Sequence, residues 1–375
     1  MTRTPTPKRT RPFWSLLAII LSFALIAAAC GGDDDEATDD PPAEETDTDA
    51  AEEPAEEATE DAASDEEAAP AADGDAPKMA VIYSDVWFDG SWGEAAYDGA
   101  NELLEAGVIS DLALQESVPP GAEAERALRA YAEDGYNPII AHSFNYGDDV
   151  KKVAADYPDT IFVYAGGFGD VAGNVGDYSQ PFHETSYLSG ILAAGVQGSG
   201  SVGGSAGFEI PVCYAMYEAF LLGVQEVLPD ATGSFVAVGD WIDVQLAKEA
   251  ALGQAADGAT MFIGCGQGPT FGQIEAAIDE GGVATGYVGD MSDVGDSVLS
   301  SFVWELDQVF GLMVEDAANG VTEAQYYEVL LKDGGLSMAI SPNWEIPAET
   351  MALYEERLAA IIDGSFEVPF IGEAA

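Results

Sequence analysis

The sequence predicts an α/β protein in which two doubly wound, parallel-sheet lobes follow a targeting segment and an acidic tether. Three observations lead to this prediction. From residue 78 onward, short apolar runs alternate with helix-length stretches, which is typical of βαβ units. Glycine and proline residues separate these runs. The roughly 300 residues of this part exceed one ordinary hydrophobic core, so two lobes are expected.

Residues 1–29 are predicted to be a lipoprotein signal peptide. Lys8, Arg9 and Arg11 form a basic region before an apolar stretch at 13–29 that is short for a stable membrane span. Small residues then lead directly to Cys30, an arrangement that resembles a bacterial lipobox. We therefore expect cleavage before Cys30 and a diacylglycerol anchor on its thiol. A plain secretory signal is the alternative.

Residues 30–77 are predicted to form an acidic, disordered tether. After Cys30 the stretch consists almost entirely of Asp, Glu, Ala, Thr and Pro, with 21 acidic residues and no basic residue before Lys78. Such a composition buries too little apolar surface to fold, and its like charges repel one another. We expect a spacer that holds the folded part away from the membrane.

The acidity of the chain narrows the range of partners. The formal net charge is −56, and the part from Lys78 onward has 47 acidic residues against 8 basic ones. Nucleic acid is therefore not expected as a partner, because no basic patch is available to offset the phosphates. A multiply phosphorylated ligand is disfavoured for the same reason. A strongly acidic surface mainly favours solubility.

The predicted elements alternate along the globular part. Strands are expected at 81–83, 138–141, 161–164, 201–204, 234–238, 260–263, 283–288 and 298–302. Helices are expected at 91–106, 122–134, 148–157, 185–196, 213–227, 244–256, 271–280, 304–319 and 351–363.

The lobe boundaries follow from this order of elements. Lobe 1 is expected at 78–197, completed by about 303–325, and lobe 2 at 198–302, completed by about 326–345. A C-terminal helix and tail take up 346–375. The glycine-rich stretch 195–207 is predicted to be the first crossover between the lobes, and a second is expected near 300–304.

The loop after the first strand is predicted to line a ligand site. In open α/β sheets ligands bind outside the carboxyl ends of the strands. This loop, at 84–92, has two Trp, one Phe and two Asp, and a helix is predicted to begin at Ser91 with Glu94 completing a capping box. Aromatic faces and carboxylates suit a flat heterocycle with hydroxyl or amino groups. An ordinary βα turn whose aromatic residues fill the sheet end is the alternative.

Several motifs follow one another along the globular part: DGSWG at 89–93, ESVPPG at 116–121, HSFNYG at 142–147, YLSGILAAG at 187–195, GGSAGFEIP at 203–211 and GYVGD at 286–290. In this order, and behind a lipobox, they resemble the basic membrane protein (BMP) family of ABC-transporter substrate-binding lipoproteins, which includes purine-nucleoside receptors. The resemblance extends from about residue 78 to about residue 372.

This resemblance implies a type I periplasmic-binding-protein fold, in which two hinged lobes close on a ligand and the closed form docks on a membrane permease. By position, Trp92 matches a stacking aromatic residue and Asp89 a nearby carboxylate. Asp290 matches the carboxylate that binds the ribose hydroxyls. Phe208 and Trp241 are candidates for the facing aromatic wall.

Phe144 and Trp304 complete the candidate ligand-binding set. Phe144 follows a predicted strand, and Trp304 stands where nucleoside receptors often have Lys. Gly93 replaces a frequent Asn, and the pair Gly166-Gly167 stands where an Asp is often found. These departures keep the class of site but leave open whether a nucleoside, a free nucleobase or another small aromatic metabolite binds.

The expected function is that of an extracytoplasmic, lipid-anchored binding protein of an ABC importer, which presents a nucleoside or related heterocycle to a permease. We expect a monomer with no catalytic residue, cofactor or metal. Two alternatives remain: a ligand-sensing lipoprotein without a transporter, and a nucleoside-processing enzyme using Asp89 and Asp290 as acid and base. The sequence has no nucleophile elbow or P-loop, and structural roles are expected for His142 and His183.

The sequence has two cysteines in addition to Cys30. Cys213 follows the first predicted strand of lobe 2 and Cys265 the third, and these strands are neighbours in the doubly wound order 2-1-3. An exported protein faces an oxidising environment. The sequence therefore allows a disulfide within lobe 2, with two separate buried thiols as the alternative.

Overall fold

The structure is a computed structural model that describes residues 76–374. The predicted signal peptide, Cys30 and nearly all of the predicted tether lie outside the described residues. The described part forms two α/β lobes, each built on a six-stranded sheet. The prediction of an α/β fold with two parallel-sheet lobes is confirmed.

Lobe 1 is built on a sheet in which every pair of neighbours is parallel. Its strands are β1 (Lys78–Ile82), β2 (Asp111–Gln115), β3 (Ile139–Ala141), β4 (Phe162–Tyr164), β5 (Val175–Tyr178) and β11 (Tyr326–Tyr327). They lie in the order β11-β5-β4-β3-β1-β2. Its helices are α1 (Trp92–Glu105), α2 (Ala122–Glu133), α3 (Gly147–Ala154) and α8 (Leu306–Ala318).

Lobe 2 has a mostly parallel sheet with one antiparallel edge. Its strands are β6 (Ser201–Ala206), β7 (Gly233–Ala237), β8 (Ala259–Cys265), β9 (Val283–Gly286), β10 (Val298–Trp304) and β12 (Leu336–Ile340). They lie in the order β12-β10-β9-β8-β6-β7, with β12 antiparallel to β10. Its helices are α4 (His183–Gln197), α5 (Pro211–Val227), α6 (Val244–Ala256), α7 (Gln267–Glu280) and α9 (Ala348–Ile362).

Strand β1 shows why the central strands appear as unbroken apolar runs. Its residues 79–82 are completely buried. Met79 and Val81 belong to one hydrophobic cluster, whereas Ala80 and Ile82 belong to another on the opposite face of the sheet. A parallel strand covered by helices on both faces needs apolar residues at every position.

Within residues 76–374 the chain crosses between the lobes three times. It leaves lobe 1 between β5 and α4 at 179–182, returns at Glu305 between β10 and α8, and crosses again at 328–335 between β11 and β12. The second crossing is one residue beyond the predicted position. Strand β11 pairs with β5 and so adds residues 326–327 to lobe 1, just past the expected limit of 325.

The predicted first crossover at 195–207 is wrong. Helix α4 packs on α5, α9 and the lobe 2 sheet, so it belongs to lobe 2 and the boundary moves back from 197 to about 180. The real crossing at 179–182 is short and buried, and the longer glycine-rich stretch at 195–207 has the stronger breaker composition. Glycines of this stretch serve close packing instead: a Cβ on Gly195 would lie 2.1 Å from Thr350 Oγ1 in α9, and one on Gly204 would lie 2.4 Å from Tyr217 Cδ2 in α5.

Candidate functional site

A cleft lies between the lobes at the carboxyl ends of several strands. The space between its walls is about 690 Å³, part of it open to solvent. Both lobes supply its walls, as expected for a ligand site in sheets of this kind. The cleft is lined by Tyr83, Ser84, Asp85, Trp92, Ser143, Phe144, Asn145, Ala165, Gly166, Gln180, Ile210, Trp241, Ile242, Gly266, Gln267 and Tyr287.

Three predicted aromatic residues come together in this cleft: Trp92 and Phe144 from lobe 1 and Trp241 from lobe 2. The rings of Phe144 and Trp241 meet edge to face across the lobes, with centroids 6.4 Å apart. Trp92 lies nearly parallel to Tyr287 of lobe 2, at 6.0 Å and 8°. The cleft therefore offers flat apolar surfaces from both lobes, which favours a ligand with a planar ring.

Two glycines make room for the indole of Trp241. A Cβ on Gly207 would approach the indole Cε3 to 2.2 Å, and one on Gly266 would approach it to 2.7 Å. Because real Cβ contacts are not this short, both positions require glycine for this ring orientation. Gly266 also has a φ of +101°, which other residues rarely adopt.

Trp92 is held from within lobe 1 by His142. The two rings stack at 4.7 Å and 18°, and His142 Nε2 lies 2.9 Å from the Trp92 carbonyl oxygen. His142 Nδ1 is hydrogen-bonded to the Tyr178 hydroxyl. Complete burial lowers the pKa of His142 to about 3, so the imidazole is neutral near pH 7. The prediction of a structural role for His142 agrees with this position outside the cleft lining.

The cleft lining includes polar side chains that are not among the predicted site residues, namely Asp85, Gln180 and Gln267. Asp85 follows β1, and among residues 76–374 its carboxylate accepts a hydrogen bond from the neighbouring Val86 amide alone, at 2.9 Å. Gln180 donates to the Tyr287 hydroxyl at 3.0 Å, and Gln267 donates to the Asp89 carbonyl oxygen across the lobes at 3.2 Å. Asp85 is one of the two Asp residues of the loop 84–92, which the sequence predicted to line the site. No Lys, Arg or His of residues 76–374 lines the cleft.

Asp89 is not part of the cleft lining, and its carboxylate holds the start of α1 instead. It accepts hydrogen bonds from the amides of Ser91 and Gly93, each at 2.9 Å, and from the Tyr83 hydroxyl at 2.9 Å. Asp89 therefore caps the helix in place of Ser91, which was the predicted cap. Ser91 Oγ instead donates to the Tyr287 carbonyl oxygen. A carboxylate at a helix N-terminus is also favoured by the helix dipole.

Asp290 and Trp304 lie on a second hollow, here called the acidic groove. Ser91, Glu94, Asp98, Glu102, Val288, Asp290, Trp304, Glu305 and Asp307 are among the residues that line it. Asp290 is exposed and caps the Ser292 amide at 2.9 Å, which places its carboxylate on the groove and not in the cleft. The pKa of Glu102 is raised by partial burial and then by the carboxylates of Asp307 and Glu305.

Trp304 and Phe208 also lie outside the cleft lining. Trp304 is buried and packs against Trp92 at 5.2 Å and against Tyr178 at 5.8 Å, so it supports the site from the core. Phe208 is 40% exposed, and its ring meets Trp241 edge-on at 5.4 Å. Large aromatic residues fill cores and rims as readily as ligand walls, and residue type alone does not separate these roles.

Cys213 and Cys265 are joined in a disulfide, with their Cα atoms 5.4 Å apart. Strands β6 and β8 are neighbours, as the 2-1-3 order requires. Cys265 ends β8 directly before Gly266 and Gln267, which line the cleft. The disulfide therefore ties the lobe 2 wall of the cleft to the start of α5.

The fold and the cleft agree with comparisons to known proteins. Residues 76–365 match the model of a family described as ABC transporter substrate-binding protein, PnrA-like. The chain belongs to this family. It is a family of substrate-binding proteins of ABC transporters, and the resemblance seen in the sequence motifs is confirmed.

Individual relatives support the same assignment. The chain is 30% identical to a purine-binding protein of Brucella abortus over 79% of this chain and 83% of that protein. It is 29% identical to a putative ABC transporter glucose-binding protein of Haloferax volcanii, over 68% of this chain and 65% of that one. An ABC transporter solute-binding protein from Conexibacter woesei has the same fold, with a TM-score of 0.62, 21% identity, and coverage of 80% and 100%.

Two further findings concern residues 76–374. No helix there has both the length and the apolarity needed to cross a membrane. No group of three or more His, Cys, Asp or Glu side chains in the same residues is arranged to hold a metal ion.

Proposed function

We propose that this protein is the extracytoplasmic, lipid-anchored solute-binding component of an ABC importer, and that it binds an uncharged purine nucleoside or nucleobase in the cleft. The observation that carries the proposal is the cleft lining, which combines aromatic rings from both lobes with neutral polar groups and one carboxylate, Asp85. The purine-binding relative supports the same ligand class.

The charge of the cleft defines which ligands are excluded. Asp85 is the acidic side chain in the lining, and no basic side chain of the described residues accompanies it. A phosphorylated or carboxylated ligand would therefore bring uncompensated negative charge into a partly buried site. A neutral heterocycle with amino or hydroxyl donors instead finds acceptors on Asp85, Gln180 and Gln267.

Ligand binding is expected to stabilise the closed arrangement of the lobes. Contacts between the lobes already exist at the cleft, including Ser91 Oγ to the Tyr287 carbonyl oxygen at 2.9 Å. A ligand that touches both walls adds contacts that only the closed state can make. In our proposal this closed form is what the permease recognises, and the lipid on Cys30 keeps the protein, as a monomer, near it.

The proposal is tested with the mature protein by isothermal calorimetry and thermal shift. The panel pairs purine nucleosides and bases with the matching nucleoside monophosphates, and it includes glucose because of the Haloferax relative. We expect binding and a raised melting temperature for the neutral purines, and no response to the monophosphates. Binding of glucose alone would overturn the ligand class, and release of free base and sugar from a nucleoside would favour the enzyme alternative.

The lipid anchor has a separate test. Mass spectrometry of the membrane-bound protein should show diacylglycerol on Cys30, and Cys30→Ala should release the protein from the membrane. Deleting the gene of a neighbouring permease should abolish uptake of the ligand if the protein serves an importer. Normal uptake in that strain, together with a changed response to the ligand, would favour the sensor alternative.

A further inference from the structure

His142 is placed to control the orientation of Trp92. Its ring is completely buried and stacks on the indole of Trp92 at 4.7 Å and 18°. The same ring makes a hydrogen bond at each nitrogen, to the Trp92 carbonyl oxygen and to the Tyr178 hydroxyl. His142 thus contacts both the side chain and the backbone of the residue that lines the cleft.

The hydrogen bonds fix one tautomer of the imidazole. A carbonyl oxygen only accepts, so Nε2 of His142 bears the proton and donates to Trp92. Nδ1 then accepts from the Tyr178 hydroxyl, which is itself fully buried. With both nitrogens paired, the ring has a single satisfied orientation, because rotating it would leave buried polar groups without partners.

We propose that His142 is a positioning residue for ligand binding, which holds the indole of Trp92 in place by ring stacking together with a hydrogen bond to the Trp92 carbonyl. The inference rests on the proposed function, because it assigns Trp92 to the ligand. A position used only for packing is filled at lower cost by an apolar ring, since buried polar groups need partners. His142 meets that cost with two hydrogen bonds: one reaches the Trp92 carbonyl oxygen, and the other, from the Tyr178 hydroxyl, fixes the imidazole that stacks on Trp92.

The chain offers a matched control in its other histidine. His183 is also buried, and its ring packs edge-on against Phe370 at 5.3 Å. Its Nδ1 has no partner among the described residues, and His183 does not line the cleft. The variant His183→Phe therefore reports the effect of replacing a buried imidazole that does not touch Trp92.

The test is a double-mutant cycle between His142 and Trp92, read by calorimetry with the purine that binds best in the panel. His142→Phe retains a ring but loses both hydrogen bonds, and we expect affinity to fall about 3- to 10-fold. In a Trp92→Ala background the same change should alter the affinity by less than about 2-fold. Equal losses in both backgrounds, or no loss in either, would overturn the inference.

A ligand-free measurement keeps the inference separate from the proposed function. The emission of Trp92 is obtained as the difference between each protein and its Trp92→Phe partner. We expect acrylamide to quench this difference more strongly in His142→Phe and in His142→Gln than in the parent, and no such change in His183→Phe. Unchanged quenching in both His142 variants would refute the positioning role. If no purine binds at all, the proposed function fails, and the quenching result still decides the role of His142.

Discussion

The cleft and the acidic groove lie on either side of one contact between the lobes, yet their chemistry is opposite. Trp92 and Tyr287 line the cleft, whereas their neighbours Ser91 and Val288 line the groove. The cleft has one carboxylate among aromatic rings, and the groove is lined by Glu94, Asp98, Glu102, Asp290, Glu305 and Asp307.

This difference shows how the carboxylates of this acidic protein are distributed between the two hollows. Carboxylates are concentrated where water can solvate them, and the partly enclosed space beside Trp92 is almost free of them. A buried charge without a partner is costly, so few carboxylates are expected in a partly enclosed cleft. Four changes test this comparison, in order of expected effect.

The largest effect is expected from removing the disulfide, which links the lobe 2 wall of the cleft to the start of α5. Replacing Cys213 and Cys265 together by alanine should lower the free energy of unfolding by about 2–4 kcal/mol, because the bond closes a long loop of the unfolded chain. Urea unfolding measures this loss. As a control, the denatured mature protein should show no free thiol at either position, and two titratable thiols would contradict the bond.

Trp92→Ala removes an aromatic surface from the cleft. Binding of the purine should weaken by about 1–3 kcal/mol, the scale of stacking one base on one aromatic ring. Calorimetry measures the change, and Phe88→Ala serves as the control, because Phe88 lies in the same loop but is 69% exposed and outside the cleft lining. Unchanged affinity in Trp92→Ala would show that the ligand does not contact this ring.

Asp89→Ala removes the carboxylate that holds the start of α1, where Ser91 lines the groove and Trp92 lines the cleft. It removes the acceptor for the Ser91 and Gly93 amides, so we expect the free energy of unfolding to fall by about 1–2 kcal/mol. Asp89→Asn retains one side-chain oxygen and should lose less. Denaturant unfolding compares the two variants. A large loss of purine affinity without a loss of stability would mean that Asp89 contacts the ligand.

The smallest effect is expected from Asp290→Asn. Its carboxylate lies on the groove and bonds only the Ser292 amide among the described residues, so purine affinity should change by less than about 2-fold. Calorimetry at matched ionic strength is the measurement. A large loss would mean that the ligand occupies the groove, which would reverse the comparison.

The sequence predicted most central elements because these have strong apolar patterns. Strand β1 and helix α1 lie within a few residues of their predicted limits. Four strands were not predicted: β2, β11 and β12 lie at sheet edges, and β5 contains Asp177. The carboxylate of Asp177 is buried and accepts amide hydrogen bonds from Gly166 and Gly167, a use that residue type does not reveal.

For the site, the sequence identified the right strand ends but not the direction of each side chain. Trp92, Phe144 and Trp241 line the cleft, and their contact with ligand stays a prediction. The two acidic residues Asp89 and Asp290 do not line it, because a carboxylate after a strand caps a helix or a turn as readily as it binds a ligand. That choice depends on side-chain orientation, which spacing along the chain does not determine.

The three crossings also determine the order in which the two sheets can be completed during synthesis of the chain. The edge strand β11 pairs with β5 through Tyr326 and Asp177, so the lobe 1 sheet stays incomplete until nearly the whole chain has been made. By then all but one of the lobe 2 strands have already been synthesised. The N-terminal lobe is therefore finished after most of its partner, and a polypeptide truncated before residue 326 leaves the edge of β5 uncovered for pairing with other chains.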